Sequence, residues 1–106
     1  MTDSALLIQQ LGPRLRRARI TSLLTVRAVA ERLGIDHSVI VRYEHGEILP
    51  PLDRLAALAN VYQVSLASLL VVNDVLAPVV TMLEQIGPEQ ISVFAKLLQQ
   101  AVDTAK

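Results

Sequence analysis

The sequence predicts an all-α fold, and three observations predict it. Apolar residues make up 52% of the 106 positions while aromatics are only 3%, and a core built from Leu, Val and Ala suits helix packing better than a sheet sandwich. Apolar residues recur at intervals of three and four rather than two. Pro, Gly and short polar residues punctuate these stretches at places where helices start and stop. The length is that of one domain with a small appendage.

Each helix has its own start and stop signals. Pro13 fits a first helical turn, where its missing N–H costs nothing, so a first helix is expected to begin there and run through "PRLRRARITS", with residues 1–12 forming an arm or a short separate helix. Thr25 is an N-cap for "VRAVAERL", and Gly34 stands where a left-handed residue would end that helix. Asp36 caps "HSVIVRYEH", which stops at Gly46. Pro50 and Pro51 lead into "LDRLAALANVY", and Ser65 caps "LASLL". Five helices are thus expected by residue 71. Beyond it, "NDVLAPVVTMLEQIG" and "PEQISVFAKLLQQAVDTA" read as a two-helix hairpin hinged at Gly87-Pro88, with Val75, Val79, Leu83 and Ile86 on one apolar stripe and Ile91, Phe94, Leu98 and Val102 on the other. The expected organisation is therefore 1–12, 13–71 and 72–106.

Composition excludes several functions. With no cysteine there is no disulfide, thiolate metal site or thiol nucleophile. The two histidines, His37 and His45, have no ligand-spaced partners, so no metal is expected. No Ser-His-Asp arrangement, phosphate-cradling glycine loop or paired-acid motif is present, so neither an enzyme nor a cofactor is expected. The opening "MTDSALLIQQLGPR" has no basic leader before an apolar run, which argues for the cytoplasm. The most apolar tract, "VSLASLLVVNDVLAPVV", is broken by Asn73, Asp74 and Pro78, short of the roughly 20 residues that cross a bilayer. The net charge of zero conceals an asymmetry. Residues 14–54 carry eight arginines against five carboxylates, or +3, whereas residues 55–106 carry two lysines against four carboxylates, or −2.

The second helix, the glycine turn and the third helix have helix-turn-helix spacing: Ala30 is small where the two helices would cross, and Ile35 and Ile40 point into the angle between them. With "LGPRLRRAR", "AVAERLGI", the I-x-x-x-E-x-G of "IVRYEHG", Pro50 and "LANVYQVSLASLL", residues 11 to 70 resemble the Cro-like helix-turn-helix regulators of the xenobiotic-response-element type, found among phage repressors, bacterial regulators and antitoxins. The resemblance implies a five-helix, lambda-repressor-like domain that binds double-stranded DNA, and a pairing of Arg19 in the first helix with Glu44 at the end of the third. It does not cover the last 35 residues.

A turn of about 100° per residue places Ile40, Tyr43 and Glu44 inward and His37, Ser38, Val41 and Arg42 outward, with Val39 at the boundary. On a DNA-reading helix those four outward residues are the candidate base readers: Arg42 for guanine or phosphate, Val41 for a thymine methyl, His37 and Ser38 for base edges at the helix start. Arg14, Arg16, Arg17, Thr25, Arg27 and His45 are the candidate phosphate contacts, although each arginine is equally suited to an ordinary solvated surface. The family's usual glutamine at the start of helix two is Val26 here, and "GEILP" is not basic, so few phosphates per subunit are neutralised and the salt dependence is expected to be shallow.

Weak binding per subunit makes a homodimer valuable, because two half-sites roughly 34 Å apart multiply affinity. Val75, Val79, Leu83, Ile86, Phe94, Leu98 and Val102 are the candidate dimer residues. The function expected is a sequence-specific repressor on a palindromic operator. The alternative is an antitoxin or adaptor that binds a protein partner through the same scaffold.

Overall fold

The computed structural model describes residues 3–71 and 74–105. Seven α-helices follow in order: α1 (Asp3–Thr21), α2 (Val26–Leu33), α3 (His37–Glu44), α4 (Leu52–Tyr62), α5 (Leu66–Leu70), α6 (Ala77–Glu84), entered through a 3-10 turn at Asp74–Leu76, and α7 (Pro88–Ala105). The chain is all-α.

The capping signals act as their chemistry requires. Thr25 Oγ1 accepts from the Ala28 N–H at 3.1 Å, an Asp36 carboxylate oxygen accepts from the Ser38 N–H at 2.9 Å, and Ser65 Oγ accepts from the Ser68 N–H at 3.0 Å. Each bond satisfies a donor that a helix start leaves without an intrahelical partner. Gly34 closes α2 with φ +67° in the left-handed region, and Gly46 follows α3 with φ +74°. Leu23 and Gln63 also take left-handed φ, at +59° and +57°. Helices α1 and α4 therefore end on side-chain-bearing residues where glycine is the usual choice.

The start of the first helix corrects the sequence reading. Helix α1 begins at Asp3 and runs unbroken through Pro13, although an interior proline removes a backbone bond and costs a helix about 3 kcal/mol. Tertiary packing overrides that cost: Leu11 and Leu15, on either side of Pro13, are both buried, and the exposed ring of Pro13 faces away from them. One rod buried at both points is more stable than an arm and a separate helix.

A single core unites α1 to α5. Leu15, Val29, Ile40 and Leu58 are its largest fully buried side chains, and Leu11, Ala30, Tyr43, Leu55, Ala59, Tyr62 and Leu69 complete it. Helix α3 packs against α2 and α1, and α6 packs along α5. Helix α7 differs: every one of its residues is exposed, and it lies along none of the other helices. The radius of gyration is 16.0 Å, against about 13 Å for a compact domain of this length.

Candidate nucleic-acid interface

Helix α3 is braced from behind. Ile40 is 1% exposed and Tyr43 and Glu44 are buried with it, while Val39 packs against the core from the boundary. Glu44 ends the helix, where the backbone dipole disfavours a negative charge. It is held there by a two-pronged bond from α1: Arg19 Nε donates to Oε2 at 2.7 Å, and Arg19 Nη2 donates to Oε1 at 3.0 Å. Arg19 Nη1 also donates to the Leu24 carbonyl at 3.0 Å, which ties the α1–α2 turn into the same lock. The bond to Glu44 raises the Arg19 pKa above its ordinary value. This is the pair the resemblance implied.

The opposite flank of α3 takes no part in the core. Ser38 and Arg42 are exposed and His37 and Val41 are half-buried, so Val41 is partly covered where the helical period left it outside. Asp36 stands beside this flank with its carboxyl held below the usual range, first by the Ser38 hydroxyl, then by the Ser38 N–H and, more weakly, by the nearby Arg27 guanidinium. Arg42 Nε lies 3.5 Å from Glu47 Oε2, with both groups about half exposed. A pair this open to water is worth little and is readily traded for another anion.

The candidate phosphate contacts fall at the two ends of α3, with one correction. Arg16, Arg17 and His45 share a hollow between α1 and the end of α3 with Glu44. Arg27 shares another with His37 at the α2–α3 turn, and Glu31 and Asp36 line it too. Thr25, at the start of α2, is exposed. Arg14, in contrast, is 5% exposed, with Nη1 donating to the Leu69 carbonyl at 3.1 Å and Nη2 to Gln10 Oε1 at 2.9 Å. It staples α1 to α5 and leaves the set of surface cations. Its position on the buried side of α1 follows from the same helix face that carries Leu11, Leu15 and Ala18.

Two residues of this site escaped the sequence reading. A Cβ on Gly12 would stand 2.5 Å from the Glu44 carbonyl oxygen and 3.1 Å from that of Tyr43. Gly12 is therefore the point where α1 lets the end of α3 come into backbone contact. Tyr62, 3% exposed, lies near the Arg19–Glu44 pair; burial, and then Glu44, push its pKa up to about 12. Its hydroxyl has no hydrogen-bond partner among the described residues. Gly12 offered no signal, since beside Pro13 it reads only as a break, and Tyr62 offered none beyond helical period.

Among the described residues no cluster of His, Asp or Glu could hold a metal ion, and no helix is long and apolar enough to cross a membrane. Five packed helices, with α2 and α3 joined by a glycine turn and one flank of α3 uncovered, define a helix-turn-helix protein. Comparison agrees: residues 10–70, more than half of the chain, match the family described as "Helix-turn-helix domain", and the chain belongs to it. It is also 41% identical, over 61 residues, to an uncharacterized HTH-type transcriptional regulator, YobD, of Bacillus subtilis (strain 168), a match covering 58% of this chain and 54% of the relative. The chain spans about half the length of that curated relative. No solved structure matches it at a significant level.

Proposed function

We propose that the chain is a sequence-specific, DNA-binding transcriptional regulator that represses by occupying a palindromic operator as a homodimer. The observation that carries this reading is the asymmetry of α3, locked behind by Arg19 and Glu44 and uncovered at Ser38 and Arg42 in front. In the major groove, Arg42 reaches guanine O6 and N7, Val41 packs on a thymine methyl, and His37 and Ser38 serve base edges or phosphate at the helix start. Arg16, Arg17, Arg27, Thr25 and His45 flank that helix and supply the phosphate contacts. A transcriptional regulator is also what the relative in Bacillus subtilis is named as, and we place this chain's action in the cytoplasm.

Selecting bound fragments from random duplexes tests this directly. The expected product is a palindrome with half-sites about one helical turn apart. Replacing His37, Ser38 and Arg42 together with alanine should abolish selection while leaving the melting temperature within a few degrees; unimpaired selection by that variant overturns the reading. A smaller change sharpens it. Glu47→Gln releases Arg42 and removes a negative charge beside the phosphates, so operator affinity should rise severalfold at low salt, as read by fluorescence anisotropy.

Dimerisation rests on α7. Ile91, Phe94, Leu98 and Val102 are between 38% and 49% exposed, an apolar stripe that an isolated helix of this length does not keep in water, and Ile86, in the turn before it, is 39% exposed. Val79 and Leu83 on α6 are half-buried within their own chain, and Val75 precedes α6 at 76% exposure. The pairing therefore centres on α7, with α6 at its edge. The antitoxin or adaptor reading draws on the same stripe. Light scattering separates the two: the full chain should be a dimer at tens of micromolar and a chain ending at residue 85 a monomer, whereas a monomeric full chain that captures no duplex favours the adaptor.

A further inference from the structure

We propose that α6 and α7 form a four-helix interface with the same two helices of a second copy, in which each α7 is held on one side by its counterpart and on the other by the partner's α6. The proposal rests on the reading of the chain as a homodimer and states what that pairing consists of.

Helix α7 carries too much apolar surface for one neighbour. Ile91, Phe94, Leu98 and Val102 form one stripe, and Val93 and Leu97, 60% and 58% exposed, form a second. The helical turn sets the two stripes close to a quarter-turn apart around the axis, which is the angle between two neighbours of a helix in a square bundle. The charged residues of α7, Glu89, Lys96 and Asp103, follow one another at intervals of seven and share the face opposite. A narrow apolar seam suits a contact of two helices, whereas a wider arc calls for burial on more than one side. The second stripe also floors a hollow of about 460 Å³, with Ile86, Val93, Phe94 and Leu97 as its apolar wall and Glu89 and Gln90 as its polar rim. An apolar centre inside a polar rim is the anatomy of a protein interface.

Helix α6 has one strip to match. Its inner side packs along α5, with Ala77 and Thr81 facing that way. Val79 and Met82, followed by Ile86 in the next turn, mark the side opposite, where Met82 is 58% exposed. Within one chain α7 lies along none of the other helices, so it does not cover this side of α6. Each copy therefore offers three apolar strips, one on α6 and two on α7. A two-fold axis pairs them without remainder: the first stripe of α7 meets its own counterpart, and the second meets the partner's α6, an exchange the partner returns. Including α6 and the second stripe more than doubles the apolar side chains that pairing of the first stripe alone would bury. That moves the contact towards the roughly 20–30 residues a side of a stable interface.

The arrangement has a consequence for DNA. Helix α6 is joined to the front domain along α5, whereas α7 follows only after the turn at Gly87. A partner that grips α6 as well as α7 holds the two α3 helices at one separation, and so fixes the half-site spacing the dimer accepts.

The test uses the unaltered full chain, without DNA, as an equal mixture of isotope-labelled and unlabelled copies, so that filtered nuclear Overhauser spectra read contacts between copies alone. The Met82 methyl of one copy should contact the Val93 and Leu97 methyls of the other, beside contacts between copies at Phe94 and Leu98. Contacts between copies at Phe94 and Leu98 with none at Met82 overturn the proposal and leave the homodimer standing. The absence of any contact between copies removes both. Met82 contacts to Val93 and Leu97 that vanish in the filtered spectrum show α7 folded back on its own α6, and they overturn the proposal too. As a second measurement, Met82→Glu should raise the dimer dissociation constant about tenfold or more in sedimentation equilibrium, while Lys96→Gln, on the charged face, leaves it unchanged. A Met82→Glu dimer as tight as the native one is the opposing result.

Discussion

Helices α3 and α7 both carry an apolar stripe along one side and polar residues along the other, yet their fates in the fold are opposite. The stripe of α3 is covered completely, by α1 and α2 through Ile40 and Tyr43, and its last residue is locked by Arg19. The stripe of α7 is covered by nothing among the described residues: Phe94 is 38% and Leu98 is 49% exposed. Periodicity tells how much apolar surface a helix presents. It does not tell what meets that surface. For α3 the partner lies within the same 60 residues, so the short chain itself supplies the cover. For α7 no other helix among the described residues supplies it.

The largest expected effect breaks the brace of α3. Arg19→Ala leaves Glu44 buried, 5% exposed at its side chain, and facing the negative end of its own helix. Stranding a buried charge costs about 3–5 kcal/mol, enough to remove much of the stability of a small domain. Thermal unfolding should show a fall of many degrees, and Arg19→Lys should recover only part of it, because an ammonium cannot make the two-pronged bond.

Second in size is Gly12→Ala. The new methyl meets the Glu44 carbonyl at 2.5 Å, a backbone contact that cannot rotate away, so α3 must move off α1. Overpacking of this kind costs about 1–3 kcal/mol, while alanine gains about 1 kcal/mol of helix propensity over glycine. The sum remains destabilising, and the accompanying shift of α3 should lower duplex affinity beyond what the loss of folded protein explains. A stabilised variant with intact binding would show that α1 and α3 are less tightly joined than their distance implies.

Tyr62→Phe tests the back of the same region by pH. The folded pKa of Tyr62 is raised to about 12 from 10.0, because burial penalises the phenolate. The neutral form is the one that fits the fold. Its contribution is fully present below pH 10 and is lost as pH rises from 10 through 12, where the unfolded chain gives up a proton that the folded chain keeps. A difference of that size corresponds to about 3 kcal/mol. Denaturant unfolding at pH 9 and 11.5 should therefore show a steep alkaline loss for the native sequence and a smaller one for Tyr62→Phe. At neutral pH the variant should be equal or slightly more stable, since the hydroxyl it removes has no partner among the described residues.

The elements of the front domain were legible because each has local chemistry at its ends. Thr25, Gly34, Asp36 and Ser65 state where helices begin and stop, and all four act as read. The inward set Ile40, Tyr43 and Glu44 followed from the helical period alone. What failed to be legible was non-local. Pro13 reads as a start because a lone helix would break there, but Leu11 and Leu15 bury both sides of it in one core. Arg14 reads as a surface cation because charge is visible in a sequence and depth is not. The role of Gly12 depends on a carbonyl 32 residues further along the chain, and no feature of "LGPR" announces it.

The smallest expected effect on stability is the most direct test of the contrast between the two helices. Phe94→Gln with Leu98→Gln removes two large apolar groups from α7. The same change at Ile40 and Tyr43 would unfold the front domain, at several kcal/mol for each buried side chain lost. On α7, which has no buried residue, the melting of the front domain should move by no more than about 0.5 kcal/mol, the usual range for surface sites. If two chains pair through this stripe, the variant should also sediment as a monomer and lose part of its helical circular dichroism, because an unpaired helix of 18 residues is marginal in water. A large drop in the melting of the front domain would mean that α7 folds back to cover its own chain, and the two stripes would then be alike after all.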